Sequence, residues 1–246
     1  MSRDSLHRIA VLVGHNVLLR RRDPAHLVSY LVMPMVLMLV FKSMLGQPAQ
    51  VVTGLLVMFS VLSMADVATA VLTERVWHTW DRIRATQARL PELIIGKTLP
   101  VFAILAVQQV VLLVYGVLAV GMRPAGPLWP LGLAVAAWCF ALLGVGTALA
   151  AVVGSHGELS TLCNIGALSV SALGGALVPY ALMPSWAQAI APVSPGYWAT
   201  TMLQAAVSGD MAATVGPAAV LVALGALAGA FACRRLGRGW GRSTVL

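Results

Sequence analysis

The sequence is short of charged residues. Among its 246 residues, 16 are Lys or Arg and 8 are Asp or Glu, whereas 59% are hydrophobic. A water-soluble protein of this length needs more charged side chains to cover its surface, so that class is excluded. The mean hydropathy of +0.89 instead indicates a protein whose surface faces lipid.

Side chains that carry catalysis or bind metals are also scarce. Cys139, Cys163 and Cys233 form no CxxC pair, and the five histidines share no ligand spacing. We therefore expect the cysteines to be small packing residues without a disulfide or a metal. Because the sequence contains no Ser/His/Asp set and no HExxH, we expect no catalytic, cofactor-binding or metal site in this chain.

Nucleotide binding is excluded by the same kind of absence. Gly96-Lys97-Thr98 ends like a phosphate-binding loop, but Pro91 stands where that motif requires its first glycine. No strand precedes it, and the longest polar segment, 73–97, is too short for a nucleotide-binding domain. The chain itself is therefore not expected to bind or hydrolyse ATP.

Long apolar runs are abundant, and there are six of them. About 20 helical residues cross a hydrocarbon core of about 30 Å, and a backbone in lipid must satisfy its own hydrogen bonds. The runs are too long for strands and do not alternate with period two. We predict one all-α membrane domain over 1–246, with six spans at about 25–45, 51–72, 99–121, 129–153, 159–178 and 213–233.

The basic residues predict the orientation of these spans. Fourteen of the sixteen lie in the N-terminal segment, in 73–97 or in the C-terminal tail, and only Lys42 and Arg123 lie elsewhere. The positive-inside rule places both termini and 73–97 in the cytoplasm, with short outer loops at Gly46–Gln50 and Met122–Leu128. The net charge of +8 then reflects orientation and contact with anionic lipid, with no nucleic-acid partner.

The residues before the first span form an amphipathic pattern. Between about 5 and 22, one helical face is apolar and the arginines lie mostly elsewhere; the apolar positions are Leu6, Ile9, Ala10, Val13 and Val17. This pattern predicts a helix that lies in the cytoplasmic interface. The alternative is a basic tail that only sets the orientation.

The region 179–208 is apolar but broken by prolines. Pro184 and Pro195 suit the first turn of a helix, Ser194 suits the N-cap, and Gly209 suits the end of the second helix. We predict two short re-entrant helices that dip into the outer leaflet, and the alternative is a flexible loop. The aromatic residues that suit the bilayer interface are Trp186, Tyr197 and Trp198.

Two local patterns predict how helices begin and pack. Ser155 and Glu158 have the spacing of a capping box before the fifth span. Gly225 and Gly229 in the last span form a GxxxG pattern, which permits close helix packing.

Asp66 is the one acidic residue well inside a span. An ionisable group at that depth is costly and faces protein or water. The structural interpretation pairs it with Gln108 or Gln109 in the next span, and the functional interpretation places it on a transport path.

The polar segment 73–97 carries a recognisable motif. Its residues Glu74-Arg75, Thr79, Asp81-Arg82, Arg84-Ala85-Thr86 and Glu92 through Lys97 match a pattern of the first cytoplasmic loop in one family, although His78 and Gln87 depart from it. Residues 174–199 match the segment before the last span. In both places the chain resembles the permease subunits of type 2 ABC transporters, which export drugs, polysaccharides and lipids.

This resemblance implies a role for the polar segment. In the family the loop carries a coupling helix that docks into a separate ATPase subunit, which binds ATP and Mg. The working unit has two such ATPases and two permeases, here a second copy or a paralogue. The resemblance thus implies an exporter in the plasma or inner membrane that moves an amphipathic drug, lipid or glycan outward. The implied coupling residues are Glu74, Arg75, Asp81, Arg82, Arg84, Arg89, Glu92 and Lys97.

The alternative is a secondary, ion-coupled transporter. Such proteins usually show an inverted repeat and several intramembrane ionisable groups. The sequence shows no clear repeat and one such group, Asp66, so the ATP-driven interpretation is favoured.

Overall fold

The computed structural model describes residues 25–76 and 90–237. These residues contain no strand, as predicted, and a π-helical turn, Gly116–Val120, extends the third helix. The helices are α1 (Ala25–Leu45), α2 (Pro48–Val76), α3 (Leu90–Tyr115), α4 (Trp129–Val152), α5 (His156–Leu173), α6 (Ser185–Ile190), α7 (Pro195–Ser208) and α8 (Met211–Gly237).

The six long helices, α1 to α5 and α8, run between two ends of the bundle. At one end the Lys42 ammonium donates to the Ala119 carbonyl over 2.9 Å, and the amide of Ala125 donates to Val207 over 2.9 Å. This end also holds α6 and α7, so we call it the hairpin end, and residues 179–208 the hairpin. At the other end, the basic end, the Arg235 guanidinium donates to the Ala151 carbonyl over 2.9 Å.

The link between α4 and α5 at the basic end is fixed by a capping box, which confirms the prediction. Ser155 has an extended backbone, and its hydroxyl accepts a hydrogen bond from the Glu158 amide. The Glu158 carboxylate reaches back and accepts from the Gly154 amide over 2.9 Å. Together these bonds satisfy donors that the first turn of a helix leaves unpaired.

α2 lies at the centre of the bundle. It packs against α1, α3, α4, α5 and α7. Its apolar side chains Val52, Leu56, Val67 and Leu72 are fully buried. Lipid tails are as apolar as these side chains, so the bundle is held by dispersion contacts and interhelical hydrogen bonds rather than by expulsion of water.

α4 and α8 approach each other through glycine. A methyl group on Gly144 would collide with the backbone of Gly225, so only glycine permits this crossing. Gly229, the second glycine of the predicted pattern, has open space beside it. The GxxxG pattern is therefore used at one of its two positions.

Four helices in the described part of the chain are long and apolar enough to cross a membrane. Their apolar segments are Pro48–Thr73, Thr98–Val120, Trp129–Val152 and Met211–Leu236. The sequence predicted six. The apolar part of α1 that the structure describes is shorter, Tyr30–Ser43. α5 has 18 residues and carries Glu158 and Asn164, which lower its hydropathy. The count of six spans stays a prediction, although both helices run the length of the bundle.

Several predicted boundaries shift. α3 begins at Leu90 rather than at about 99, and α2 continues to Val76, so the polar segment 73–97 is helical at both of its ends. α2 already begins at Pro48, which places Gln50 in a helix, buried, instead of in an outer loop. α5 ends at Leu173 rather than at about 178. The predicted interfacial helix at 5–22 lies outside the described residues.

Candidate functional site

Four of the eight predicted coupling residues flank a gap in the described chain, and the other four fall within it. α2 ends at Val76 and α3 begins at Leu90, and these two helices pack together. The backbones of Glu74, Arg75, Glu92 and Lys97 belong to the two helices. The remaining predicted coupling residues, Asp81, Arg82, Arg84 and Arg89, lie outside the described residues.

A polar cluster lies inside the bundle where α1, α2 and α3 meet. The Ser63 hydroxyl donates to the Gln108 side-chain oxygen over 3.0 Å, and the Gln108 amide donates to the Tyr30 carbonyl over 3.3 Å. Ser63 and Gln108 are buried. Hydrogen bonds at this depth join helices in a surrounding that offers no water as a substitute.

Asp66 lies one turn along α2 from Ser63 and is half-buried. The hydrogen bonds that the structure shows for Gln108 go to Ser63 and Tyr30, so the pairing of Asp66 with a glutamine stays a prediction. The neighbouring Gln109 is buried, and neither atom of its amide has a partner within the described residues.

A second buried bond joins α2 to α4. The Trp138 indole donates to the Ser60 hydroxyl over 2.6 Å, and the hydroxyl donates to the Val57 carbonyl. Trp138 is the bulkiest fully buried side chain of the core. A buried indole N–H without an acceptor is costly, so this bond fixes the position of α4 against α2.

The hairpin contains the two short helices that the prolines predict. Pro184 precedes α6, and Pro195 is the first residue of α7. The Ser194 hydroxyl accepts from the Gly196 amide, and Gly209 ends α7 with φ 78° in the left-handed region. These features confirm the predicted caps, whereas the depth of the helices in a membrane stays a prediction.

The aromatic residues of the hairpin play two different roles. Trp186 is 63% exposed, as suits a side chain at a lipid interface. Tyr197 instead packs between Tyr180, in a tilted contact, and Trp198, edge to face, with both ring-centroid separations at 5.3 Å. The Trp198 indole donates to the Pro192 carbonyl over 2.8 Å, which closes the turn before α7.

The hairpin is tied to α2 by a residue that sequence reasoning missed. The Gln50 amide donates to the Gly175 carbonyl over 2.6 Å, and its side-chain oxygen accepts from the Gln204 amide of α7. Gln50 is 7% exposed. The only sequence signal for this tie is a glutamine at the end of an apolar run, which also suits a loop.

α5 presents an unusual outer face. Its buried side is one narrow stripe, and the residues on the opposite face are exposed: Gly157, Thr161, Asn164, Leu168 and Ala172. The Thr161 hydroxyl donates to the carbonyl of Gly157 in its own helix, and within the described residues the Asn164 amide donates only to the Ser160 hydroxyl, over 3.5 Å. Thus exposed polar side chains lie on a helix that runs the length of the bundle.

These features define a multi-pass helical membrane protein. Its described helices pack through glycine contacts and buried hydrogen bonds, and no group of three or more metal-ligand residues occurs within the described residues. The sequence matches the family of ABC-2 type transporters over residues 7–207, and the chain belongs to that family. A comparison with curated proteins finds no match to the chain.

Membership of this family shows the chain to be a permease component of an ABC transporter, and implies that it pairs with an ABC ATPase subunit. The match includes the polar segment 73–97 and nearly all of the hairpin. It therefore confirms the resemblance that these two stretches of sequence indicated.

Proposed function

We propose that this chain is the membrane subunit of an ATP-driven exporter, which moves an amphipathic drug, lipid or glycan outward across the plasma or inner membrane. The observation that carries the proposal is the family match over residues 7–207. In the proposed complex, two ATPase subunits bind ATP and Mg, and each docks on the segment 73–97 of one permease. The basic end then faces the cytoplasm, where the positive-inside rule also places both termini.

The coupling role of the segment rests on its charge. All eight predicted contact residues are charged and lie within 73–97, in a chain that has 24 charged residues in all. A single exposed ion pair contributes only about 0–1 kcal/mol, whereas like charges brought together at an interface cost several. Reversing several arginines at once therefore separates a docking surface from a solvated loop.

The test combines Arg82→Glu, Arg84→Glu and Arg89→Glu in one variant. The remaining basic residues of the termini still set the orientation, so we expect normal membrane insertion. We expect loss of the ATPase subunit in affinity capture from detergent-solubilised membranes. The matched control is Arg123→Glu, an exposed residue at the hairpin end, which should leave capture unchanged. Full recovery of the ATPase with the triple variant would reject docking on this segment.

The exposed face of α5 supports a pair of permeases. An asparagine amide in hydrocarbon is costly because lipid offers it no hydrogen-bond partner. Asn164 and Thr161 are both exposed in the single chain, so we propose that a second permease covers this face or shares with it a polar path. α8 offers the contrast, since its exposed Leu227 and Phe231 suit lipid.

Cross-linking tests this pairing. In a chain whose three cysteines are replaced by serine or alanine, Thr161→Cys should form a covalent dimer when the membranes are oxidised. Leu227→Cys, exposed on α8, should remain monomeric under the same conditions. Equal cross-linking at both positions would mean random collision and would remove α5 from the interface.

A further inference from the structure

α2 joins the two regions that the transport cycle must connect. It runs for 29 residues from Pro48 to Val76, which is about 43 Å at 1.5 Å per residue. Its only proline is Pro48, its first residue, so no proline breaks its hydrogen-bond ladder. One end of this continuous helix opens into the segment 73–97, and the other lies against the hairpin.

The first turns of α2 hold two separate parts of the hairpin end. Gln50 donates to the Gly175 carbonyl in the turn after α5 and accepts from Gln204 in α7. One buried side chain therefore bonds both elements at once. The Thr200 hydroxyl adds a bond of 2.6 Å from α7 to the Gly174 carbonyl of the same turn.

We call the contact of the first turns of α2 with the turn after α5 and with α7 the joint. Close contact between backbones prevents these elements from sliding past one another. One turn beyond Gln50, a methyl group on Gly54 would collide with the Ala176 carbonyl. Gly174 lies in a similar contact with Gly196 at the start of α7. Packed backbones of this kind move together because the contact leaves no free volume. An axial displacement of α2 is thus passed to the turn after α5 and to α7.

α3 also starts beside the polar segment, but it is interrupted. It contains Pro100 and ends in the π-helical turn Gly116–Val120, after which Gly121 has φ 90°. Its connection to α7 is the bond from Ala125 to Val207, beyond these breaks. α2 is the continuous route.

We propose that α2 transmits the ATPase-driven movement of segment 73–97 to the hairpin, and that Gln50 is the positioning residue that holds the joint. This inference rests on the proposed function, since it needs a coupled ATPase. The joint stays closed during the cycle, and α2, the turn after α5 and α7 move as one unit. Gln50 acts through the elements it holds and touches no cargo.

The experiment uses the chain in complex with the ATPase subunit captured with it, in lipid nanodiscs. A fluorophore sensitive to its surroundings is attached at Leu182→Cys, an exposed position in the hairpin, in a chain without other cysteines. Emission is compared before and after ATP with vanadate. We expect an ATP-dependent change with Gln50 present, its loss in Gln50→Leu, and a partial loss in Gln204→Leu, which leaves the bond to Gly175.

The control is Gln188→Leu. Gln188 bonds Tyr180 and Met183 within the hairpin, so its removal perturbs the hairpin without cutting the tie to α2, and the change in emission should persist. ATP hydrolysis by each complex is measured in parallel and should continue in all three variants. A merely structural role for Gln50 would lower hydrolysis and yield together with the signal.

A second arm covers a variant that folds poorly. In this arm a fluorescent amino acid incorporated at position 182 replaces the thiol-attached fluorophore, and Gln50→Cys with Gln204→Cys is joined by a short bis-thiosulfonate reagent that replaces the lost side-chain length. The emission change should be absent before cross-linking and restored after it. A cross-linked form that hydrolyses ATP without the change would overturn the inference, since the joint would then have to open.

The outcomes for the inference and for the proposed function are separate. A normal ATP-dependent change of emission in Gln50→Leu overturns only the inference that α2 transmits the movement through Gln50. If the ATPase is captured but the labelled chain with Gln50 shows no ATP-dependent change of emission, that inference is also overturned. The assignment as a permease then still stands. Failure to capture an ATPase by any variant rejects the proposed function itself.

Discussion

α2 and α8 look alike in sequence and lie in opposite surroundings. Each has a 26-residue segment that is long and apolar enough to span a membrane, and their hydropathies are nearly equal. Yet 67% of an 18-residue apolar stretch of α2 is buried inside the protein, against 28% of the corresponding stretch of α8. Hydropathy thus reports that a helix crosses lipid and says little about its neighbours.

The polar residues within each helix indicate whether it lies at the centre of the bundle or at its edge. α2 buries Gln50, Thr53, Ser60 and Ser63, whereas α8 buries only Thr214, near its start. A polar side chain in a span must find a partner in the protein because lipid offers none. A span with several such residues along its length is therefore expected at the centre of a bundle, and one without them at its edge.

The largest expected effect on stability comes from replacing a glycine of α2 by a larger residue. Gly54→Val in α2 places a side chain against the Ala176 backbone, which cannot move away like a flexible side chain. We expect a loss of about 3 kcal/mol or more, at the upper end for overpacking, and little folded protein. The yield of monodisperse protein in detergent and its thermal unfolding measure this.

Gly229→Val in α8 is the matched control. Nothing lies within 4 Å of the position where its Cβ would be, so yield and melting temperature should stay unchanged. If both variants fold equally well, the contrast between a central and a peripheral helix is wrong.

Leucine truncation sharpens the same comparison. Leu56 in α2 is fully buried and Leu227 in α8 is 72% exposed. Leu56→Ala should lower the free energy of unfolding by about 2 kcal/mol or more through the cavity it leaves. Leu227→Ala should stay within about 0.5 kcal/mol. Unfolding in mixed detergent micelles measures both, and equal losses would contradict the assigned burial.

The smallest effect concerns a single hydrogen bond. Ser60→Ala removes the acceptor of the Trp138 indole, and interhelical bonds in membrane proteins contribute about 1 kcal/mol. Trp138→Phe removes the donor and also some packing. In a double-mutant cycle with the same unfolding assay, the pair should show a coupling energy of about that size. Additive losses would mean that the bond contributes nothing to the contact between α2 and α4.

Features set by neighbouring residues were predictable from the sequence. The Ser155–Glu158 capping box, the helix starts after Pro184 and at Pro195, and the glycine end of α7 all depend on residues a few positions apart. Each requires a specific backbone angle or a specific donor, so residue type alone indicates it. The structure has all of them.

Contacts between distant residues were not predictable. Gln50 and Gln204 are 154 positions apart, and no local pattern marks either as a partner. The same holds for Gly54 with Ala176 and for Gly144 with Gly225. A glycine in a span fits several packing arrangements, and only the positions of the other helices decide which one forms.

The separation of Gln50 from Gln204 also has a consequence in time. Chains are synthesised at about 5–20 residues per second, so about 8–30 seconds pass between the emergence of the two glutamines from the ribosome. During that interval the side-chain oxygen of Gln50 lacks its Gln204 donor, and the Gln50 amide gains the Gly175 carbonyl only near the end of it. The order of the helices along the chain therefore makes α2 the first centre of the fold to be inserted and among the last to be completed.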